Sequence, residues 1–245
     1  MNKIVILGAT SAIAEQVARL YAQPDQHILL VARNKNTMSV IADDLLIRGA
    51  GKVDCLAYDF SDLEKIESLV NAIGSVIENI DLLFVAYGTL PNQPECEQSI
   101  KLTQQEINLN YLSVVSVLTG LTPKMSRRGK ANIAVITSVA GDRGRKSNYV
   151  YGSAKGALTI YLQGLRNALS DKDVNVLTIK PGFVDTPMTS DFKKGLLWVK
   201  PEKIAKDICK AIKKRKDVIF TPWYWRWIML IITSIPERIF KKMNL

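Results

Sequence analysis

Tyr151 and Lys155 stand four positions apart in the stretch SVAGDRGRKSNYVYGSAKGAL, and Ser138 precedes the tyrosine by thirteen. On a helix, a spacing of four puts two side chains on one face over successive turns. An ammonium held beside a phenol stabilises the phenolate. It thereby draws a tyrosine pKa of about 10 toward the range where the group exchanges protons near neutral pH. A serine hydroxyl arriving from the opposite side would donate to a carbonyl oxygen. Together the three describe acid/base chemistry at a carbonyl, whereas a Tyr/Lys pair alone is an ordinary surface pair. The chain's one histidine, His27, precedes an apolar run without a Cys or carboxylate cluster nearby. It reads as a surface or strand-end residue, so the chemistry must do without imidazole.

These side chains need elements to position them. Short β-branched runs at 3–7, 27–32, 53–58, 81–86, 131–137, 174–180 and 217–221 alternate with longer amphipathic stretches. That rhythm predicts an α/β fold: a single Rossmann-type, doubly wound parallel sheet of about seven strands with helices on both faces, followed by an aromatic and basic C-terminal extension. SDLE at Ser61 and TQQE at Thr103 have the pattern of capping boxes, and Pro201 suits a first helical turn. A composition of 47% apolar and 23% charged residues belongs to a globular chain, and no linker or low-complexity tract divides it. Residues 1–221 therefore read as one catalytic, dinucleotide-binding domain and 222–245 as its extension.

Ligands of such sheets bind beyond the carboxyl ends of the strands. Gly8 ends the first strand in VILGATSAIAE, and a helix start follows whose free amides can receive a pyrophosphate. Later glycines that would strengthen this signal are Ala12 and Ala14 instead. Arg33 ends the second strand, where an acidic residue would bind the ribose hydroxyls of NAD. A guanidinium there grips a 2′-phosphate, which favours NADPH/NADP over NAD. Asp59, after the third strand, is placed to accept from an adenine amino group.

Over its whole length the chain resembles the short-chain dehydrogenase/reductases. YGSAK matches the family's YxxxK, Ser138 stands at the expected distance, PGFVDTPM matches the PG…T segment, and INLNYLS aligns with the active-site asparagine segment. The resemblance implies Tyr151 as acid/base, Lys155 as the group that lowers its pKa and bonds the nicotinamide ribose, and Ser138 as the holder of the carbonyl. Asn110 would support a water linking Lys155 to solvent. It further implies cofactor contacts at Gly8, Thr10, Ser11, Ala12, Ile13, Arg33, Asp59, Phe60, Ala86, Tyr87 and Gly88. At the other end of the cofactor come Pro181, Gly182, Val184 and Thr186, with the nicotinamide carboxamide held by Thr186 and the 181–184 backbone. Two motifs depart from the family: TGxxxGxG is LGATSAIA, and NNAG is Val85-Ala86-Tyr87-Gly88.

Within the family, GATSAIAE, AYGTLPNQ and the WRWIM…IP tail most resemble the decaprenylphosphoryl-2-keto-ribose reductases, which act on a lipid-linked keto-sugar alongside a partner oxidase. Such a substrate needs cations for its phosphate, and Arg143, Arg145 and Lys146 lie between Ser138 and Tyr151. It also needs access to lipid. The apolar part of PWYWRWIMLIITSIP, residues 222–236, is far short of the ~20 residues that cross a bilayer. Its aromatics, led by Trp223, Trp225 and Trp227, suit an interface, a pocket cover or a subunit contact. The formal charge of +10 is concentrated late in the chain. No nucleic-acid-binding signature accompanies it, so anionic ligands or a membrane surface are the expected partners rather than nucleic acid. Three scattered cysteines suggest neither a metal site nor disulfides. They fit a reducing, cytoplasmic setting, with peripheral contact on the inner membrane face. Family resemblance implies a homodimer or homotetramer. The alternatives are a 3-ketoacyl or 3-ketosphinganine type reductase and, in a different class, an NADP-binding regulatory subunit without turnover.

Overall fold

A computed structural model describes residues 2–126 and 129–243; Met1 and the last two residues of the 222–245 extension lie outside it. The strands are β1 (Asn2–Leu7), β2 (Gln26–Ala32), β3 (Lys52–Ala57), β4 (Leu82–Val85), β5 (Ala131–Ile136), β6 (Val174–Pro181) and β7 (Val218–Thr221). The helices are α1 (Ala12–Leu20), α2 (Lys35–Ile47), α3 (Ile66–Val76), α4 (Gln93–Gln98), α5 (Ile100–Ile107), α6 (Ser113–Leu121), α7 (Tyr149–Ala168), α8 (Pro201–Lys213), α9 (Trp225–Ser234) and α10 (Glu237–Phe240). All seven strands lie where the apolar runs predict them, within a residue or two.

The strands form one sheet in the order β3-β2-β1-β4-β5-β6-β7, each neighbouring pair parallel. Alternation along each strand sends side chains to opposite faces. Ile4, Ile6, Ile28 and Leu30 therefore pack against α1, α2 and α8. Val5, Leu7, Leu29 and Val31 pack against α3, α6 and α7 on the other face. Because both faces are covered, the strands read as continuous apolar runs. The chain order reverses between β1 and β4, which opens a crevice at their carboxyl ends.

Both expected capping boxes fail, for a local reason. Asp62, not Ser61, precedes the 3-10 turn that leads into α3, while Ser61 instead bonds Asp59. Ser99 caps α5 through the Leu102 amide, which leaves Thr103 one turn inside the helix. Pro201 does open α8 at its first turn. His27 is buried within β2, with Nε2 2.7 Å from Asp54 on β3, at the end of the sheet remote from the crevice.

Candidate active site

The crevice holds a cavity of about 280 Å³ lined from the ends of β1, β4, β5 and β6 and from the first turns of α1 and α7. Gly8 makes the turn out of β1 with a φ of +81°, and a Cβ there would lie 2.7 Å from Tyr87, so both conformation and space require glycine. Ser11 caps α1 by accepting from the Ala14 amide. That leaves the Ala12 and Ile13 amides, the ordinary orphan donors of a helix start, at the cavity wall with Thr10 and Ser11. Ala14 is fully buried against the sheet on the core side of α1. Its methyl fills core rather than crowding the cavity.

Ser138, Tyr151 and Lys155 meet in this cavity. Ser138 leaves β5 in an extended conformation, its Oγ accepting from the Ala140 amide, and its hydroxyl also bonds the Tyr151 phenol. Lys155 is 3% exposed, with Nζ 5.7 Å from the centre of the tyrosine ring and 3.4 Å from the Ile136 carbonyl. The pKa expectation needs correction. Burial pushes the Tyr151 phenol up to about 12, partly offset by the bond to Ser138, and it pushes the Lys155 ammonium down to about 8. Desolvation outweighs the charge pairing that the helical spacing suggested.

Asn110 is fully buried in a π-helical turn, Asn108–Leu112, which joins α5 to α6. Its Oδ1 accepts from the Thr89 amide at 3.1 Å, and Nδ2 donates to Thr89 Oγ1, to the Glu106 carbonyl and to Glu106 Oε2. Thr89 Oγ1 in turn bonds Glu106 Oε2 at 2.5 Å. A Cβ on Gly88 would lie 2.6 Å from Asn110 Oδ1 and 3.2 Å from Lys155 Nζ, so this glycine lets the amide and the ammonium approach each other. Sequence reading missed Thr89 and Glu106. Glu106 stands one helical turn before the asparagine, which is the signal that could have found it.

On the other side, Ala86, Tyr87, Gly88, Pro181, Gly182, Val184 and Thr186 reach the cavity as expected. Thr189, also missed, holds this segment in shape: its Oγ1 donates to the Val184 carbonyl and accepts from the Thr186 amide. Four of the expected cofactor residues do not line the cavity: Gly8, which shapes the turn leading to it, and Phe60, Asp59 and Arg33. The Phe60 ring is buried and stacks on Tyr87, with centroids 3.9 Å apart, so it supports the wall from behind. Asp59 is exposed, and its Oδ1 already accepts from the Ser61 amide and hydroxyl. Arg33 lies with Asn34, Lys35 and Asn36 in a separate open depression at the start of α2.

The residues present suit a dinucleotide: helix-start amides at one end and the Val184–Thr186 turn with the Tyr151/Lys155 pair at the other.

The tail packs against the wall of this site. Trp225 is buried against Gly182 and meets Phe183 edge-on at 4.8 Å, while Met229 packs beside it over Val139. Arg143, one of the expected phosphate cations, is engaged elsewhere. Its guanidinium donates to the carbonyls of Ile232, Thr233 and Ile235, pairs with Glu237 and stacks on Phe240, closing the carboxyl end of α9 onto α10. Lys146 is exposed at the surface. Arg145 alone of the three enters the cavity wall.

Residues 2–196 match the short chain dehydrogenase family. An uncharacterized oxidoreductase of Mycobacterium tuberculosis is 32% identical over 240 residues, covering 98% of this chain and 96% of that protein. Among solved structures, a short-chain dehydrogenase from Sphingobium yanoikuyae in complex with NADPH superposes with a TM-score of 0.81 at 20% identity, covering 97% of each chain. L-sorbose reductase from Gluconobacter frateurii, complexed with NADPH and L-sorbose, superposes with a TM-score of 0.79 at 23% identity, covering 89% of this chain and 94% of that one. With the seven-stranded parallel sheet and a family match over four-fifths of its length, the chain belongs to the short-chain dehydrogenase family of NAD(P)-dependent oxidoreductases.

Proposed function

We propose that the chain reduces the keto group of a lipid-linked, polyprenyl-phospho keto-sugar, with NADPH as reductant, in the manner of the decaprenylphosphoryl-2-keto-ribose reductase branch. When bound, NADPH supplies the hydrogen and two electrons of the new C–H bond. The protein's own residues handle the oxygen. Ser138 donates to the carbonyl oxygen and fixes its position. A Tyr151 phenol titrating at about 12 stays protonated at neutral pH, ready to give its proton as the oxygen becomes an alkoxide. Lys155, titrating at about 8, holds its proton less tightly than the tyrosine and can return one to the phenolate. Asn110, braced by Thr89 and Glu106, holds the chain beside Lys155 where the relay meets water.

The observation that carries the lipid-linked substrate is the two-sidedness of α9. Trp225 lies against the cavity wall, while Trp227 and Ile231 on the helix, and Trp223 in the turn before it, are 56%, 68% and 70% exposed. Arg226, Arg238, Lys241 and Lys242 are exposed in the same segment. No helix among the described residues is long and apolar enough to cross a membrane. An exposed indole cluster in a basic segment suits the headgroup layer of an anionic bilayer, and it would bring the cavity to a sugar whose tail stays in lipid. In this reading the 222–245 extension covers the pocket of the 1–221 catalytic domain and touches the inner membrane face. The domain works in the cytoplasm as a homodimer or homotetramer, and a partner oxidase makes the ketone.

A 3-ketoacyl or 3-ketosphinganine substrate is the second reading, favoured by the apolar wall of Leu90, Val139, Phe183 and Met188. The test is NADPH oxidation with extracted lipid-phospho-sugars, with and without an oxidase that forms the ketone. Turnover confined to unphosphorylated 3-ketoacyl compounds would sink the keto-sugar reading.

A further inference from the structure

Two arginines on one loop, Arg143 and Arg145, have opposite circumstances. Arg143 is saturated by three carbonyls, a carboxylate and an aromatic ring. Arg145 makes no side-chain hydrogen bond, ion pair or ring contact with any described residue, and its Nε is buried without a partner. Three positions on, at the start of α7, Asn148 also lines the cavity with its Oδ1 buried and unpartnered. Both belong to the loop that joins Ser138 to Tyr151, so they sit on the wall that carries the catalytic hydroxyls.

Buried polar groups in folded proteins are nearly always paired, and a desolvated cation left alone is costlier still. Burial accordingly depresses the Arg145 guanidinium. Lys155 and Arg145 are the cations lining the cavity, and no carboxylate is among the described lining residues. Lys155 stands beside Tyr151, which leaves Arg145 without a task inside the protein. A planar guanidinium with free donors matches a phosphate or carboxylate, and a lone amide oxygen matches a hydroxyl.

From this pairing we infer that Arg145 and Asn148 form the substrate-recognition end of the cavity, where Arg145 binds an anionic group, a phosphate ester by preference, and Asn148 accepts from a neighbouring hydroxyl. The ligand class is thus a hydroxylated, phosphate-bearing ketone. This rests on the reductase reading of the same cavity and narrows its substrate: an unphosphorylated acyl chain has nothing for either group to hold.

The test is calorimetric and needs no turnover. The full chain is saturated with NADPH, so that the cofactor's own phosphate sites are filled, and titrated with glucose 1-phosphate and, separately, with glucose. The wild-type chain binds the phosphate ester about 10- to 100-fold tighter, the range expected for hydrogen bonds to a charged group. Arg145→Gln removes that preference, Arg145→Lys restores part of it, and Asn148→Ala weakens both ligands by a similar factor. NADPH affinity stays unchanged in Arg145→Gln, and its melting temperature does not fall, because the neutral side chain is cheaper to bury. Equal binding of the two sugars by the wild-type chain, no binding of either, or an undiminished preference in Arg145→Gln overturns the proposal. Loss of NADPH affinity in Arg145→Gln also overturns it, by assigning the guanidinium to the cofactor. The keto-sugar reading fails separately: anion binding can stand while lipid-phospho-sugars remain unreduced.

Discussion

The indole of Trp225 rests on the backbone of Gly182 so closely that a Cβ on the glycine would lie 1.8 Å from Nε1. This contact ties the PG…T segment of the cavity wall to the C-terminal helix, and no other residue type fits there. Gly182→Ala must displace the indole and with it α9, and overpacking of this kind costs about 1–3 kcal/mol. Trp225→Ala alone leaves a cavity and costs about 3–5 kcal/mol. In the double variant the new methyl enters space vacated by the indole, so the combined loss in denaturant unfolding should fall short of the sum. Strict additivity would contradict the contact.

The proton route gives a second prediction. Tyr151→Phe keeps the ring and its packing and removes the phenol proposed to protonate the carbonyl oxygen. Turnover should fall by about 10²–10⁴-fold while NADPH affinity changes little. In the wild-type chain the reductive rate should fall as pH rises through about 8, where Lys155 loses its proton, with no second limb from Tyr151 until about 12. A rate that stays flat from pH 7 to 9.5 would remove Lys155 from the relay.

Lys155 is also expensive for the fold. Its folded pKa of about 8 lies below the ordinary 10.5, so between those values the unfolded chain binds more protons and stability rises with pH. Below pH 8 the full cost is present, on the order of 3 kcal/mol. Lys155→Met, which fills similar space without charge, should therefore raise the melting temperature of the cofactor-free chain at pH 7 by several degrees while abolishing turnover. The gain should shrink as pH approaches 10. An equal or lower melting temperature at pH 7 would show that the ammonium is better solvated than its 3% exposure implies.

The sheet and the meeting of Tyr151 and Lys155 in one cavity were legible because both are written in local patterns: β-branched runs for the strands, and a four-residue helical spacing for the pair. What sequence reading missed depends on contacts across long stretches of chain. Arg143 and Arg145 are alike as letters, and only the return of α9, some 90 positions later, separates the occupied guanidinium from the free one. Trp223, Trp225 and Trp227 look equivalent in the tail, yet helical geometry turns Trp225 inward and leaves its neighbours exposed. The capping boxes failed because the helical turns start at other residues: Asp62, which makes no side-chain capping bond, precedes the turn into α3, and Ser99 caps α5. The fall in tyrosine pKa failed because burial, which spacing does not encode, outweighed the neighbouring charge.

Arg143 should prove to be what keeps the tail on the body. Its bonds run to the Ile232, Thr233 and Ile235 carbonyls at the end of α9, so Arg143→Ala loses a charged partner worth about 1.5–3 kcal/mol and the stack on Phe240. Limited proteolysis should then clip the chain within residues 222–243 much faster than in the wild type. Arg143→Lys should not rescue it, because a single ammonium cannot reach those carbonyls and also lie flat on the ring. Equal protease resistance in all three proteins would mean that Trp225 and Met229 suffice to hold the tail.

Trp223 and Trp227 offer the sharpest separation of fold from location. At 70% and 56% exposure they contribute little to packing, and replacing both with Ser should leave the melting temperature within about a degree. If the outer face of α9 meets lipid, the same double substitution should abolish flotation with liposomes containing anionic phospholipid. Charge reversal at Lys241 and Lys242, with the indoles intact, should weaken flotation most at low salt, where the surface charges are least screened. Reduction of a small soluble ketone should be unaffected by either change, since neither touches the cavity wall, whereas reduction of a lipid-embedded substrate should drop with flotation. Wild-type protein that fails to float, or variants that float as well as wild type, would assign the exposed indoles to a protein partner and detach the substrate from the membrane.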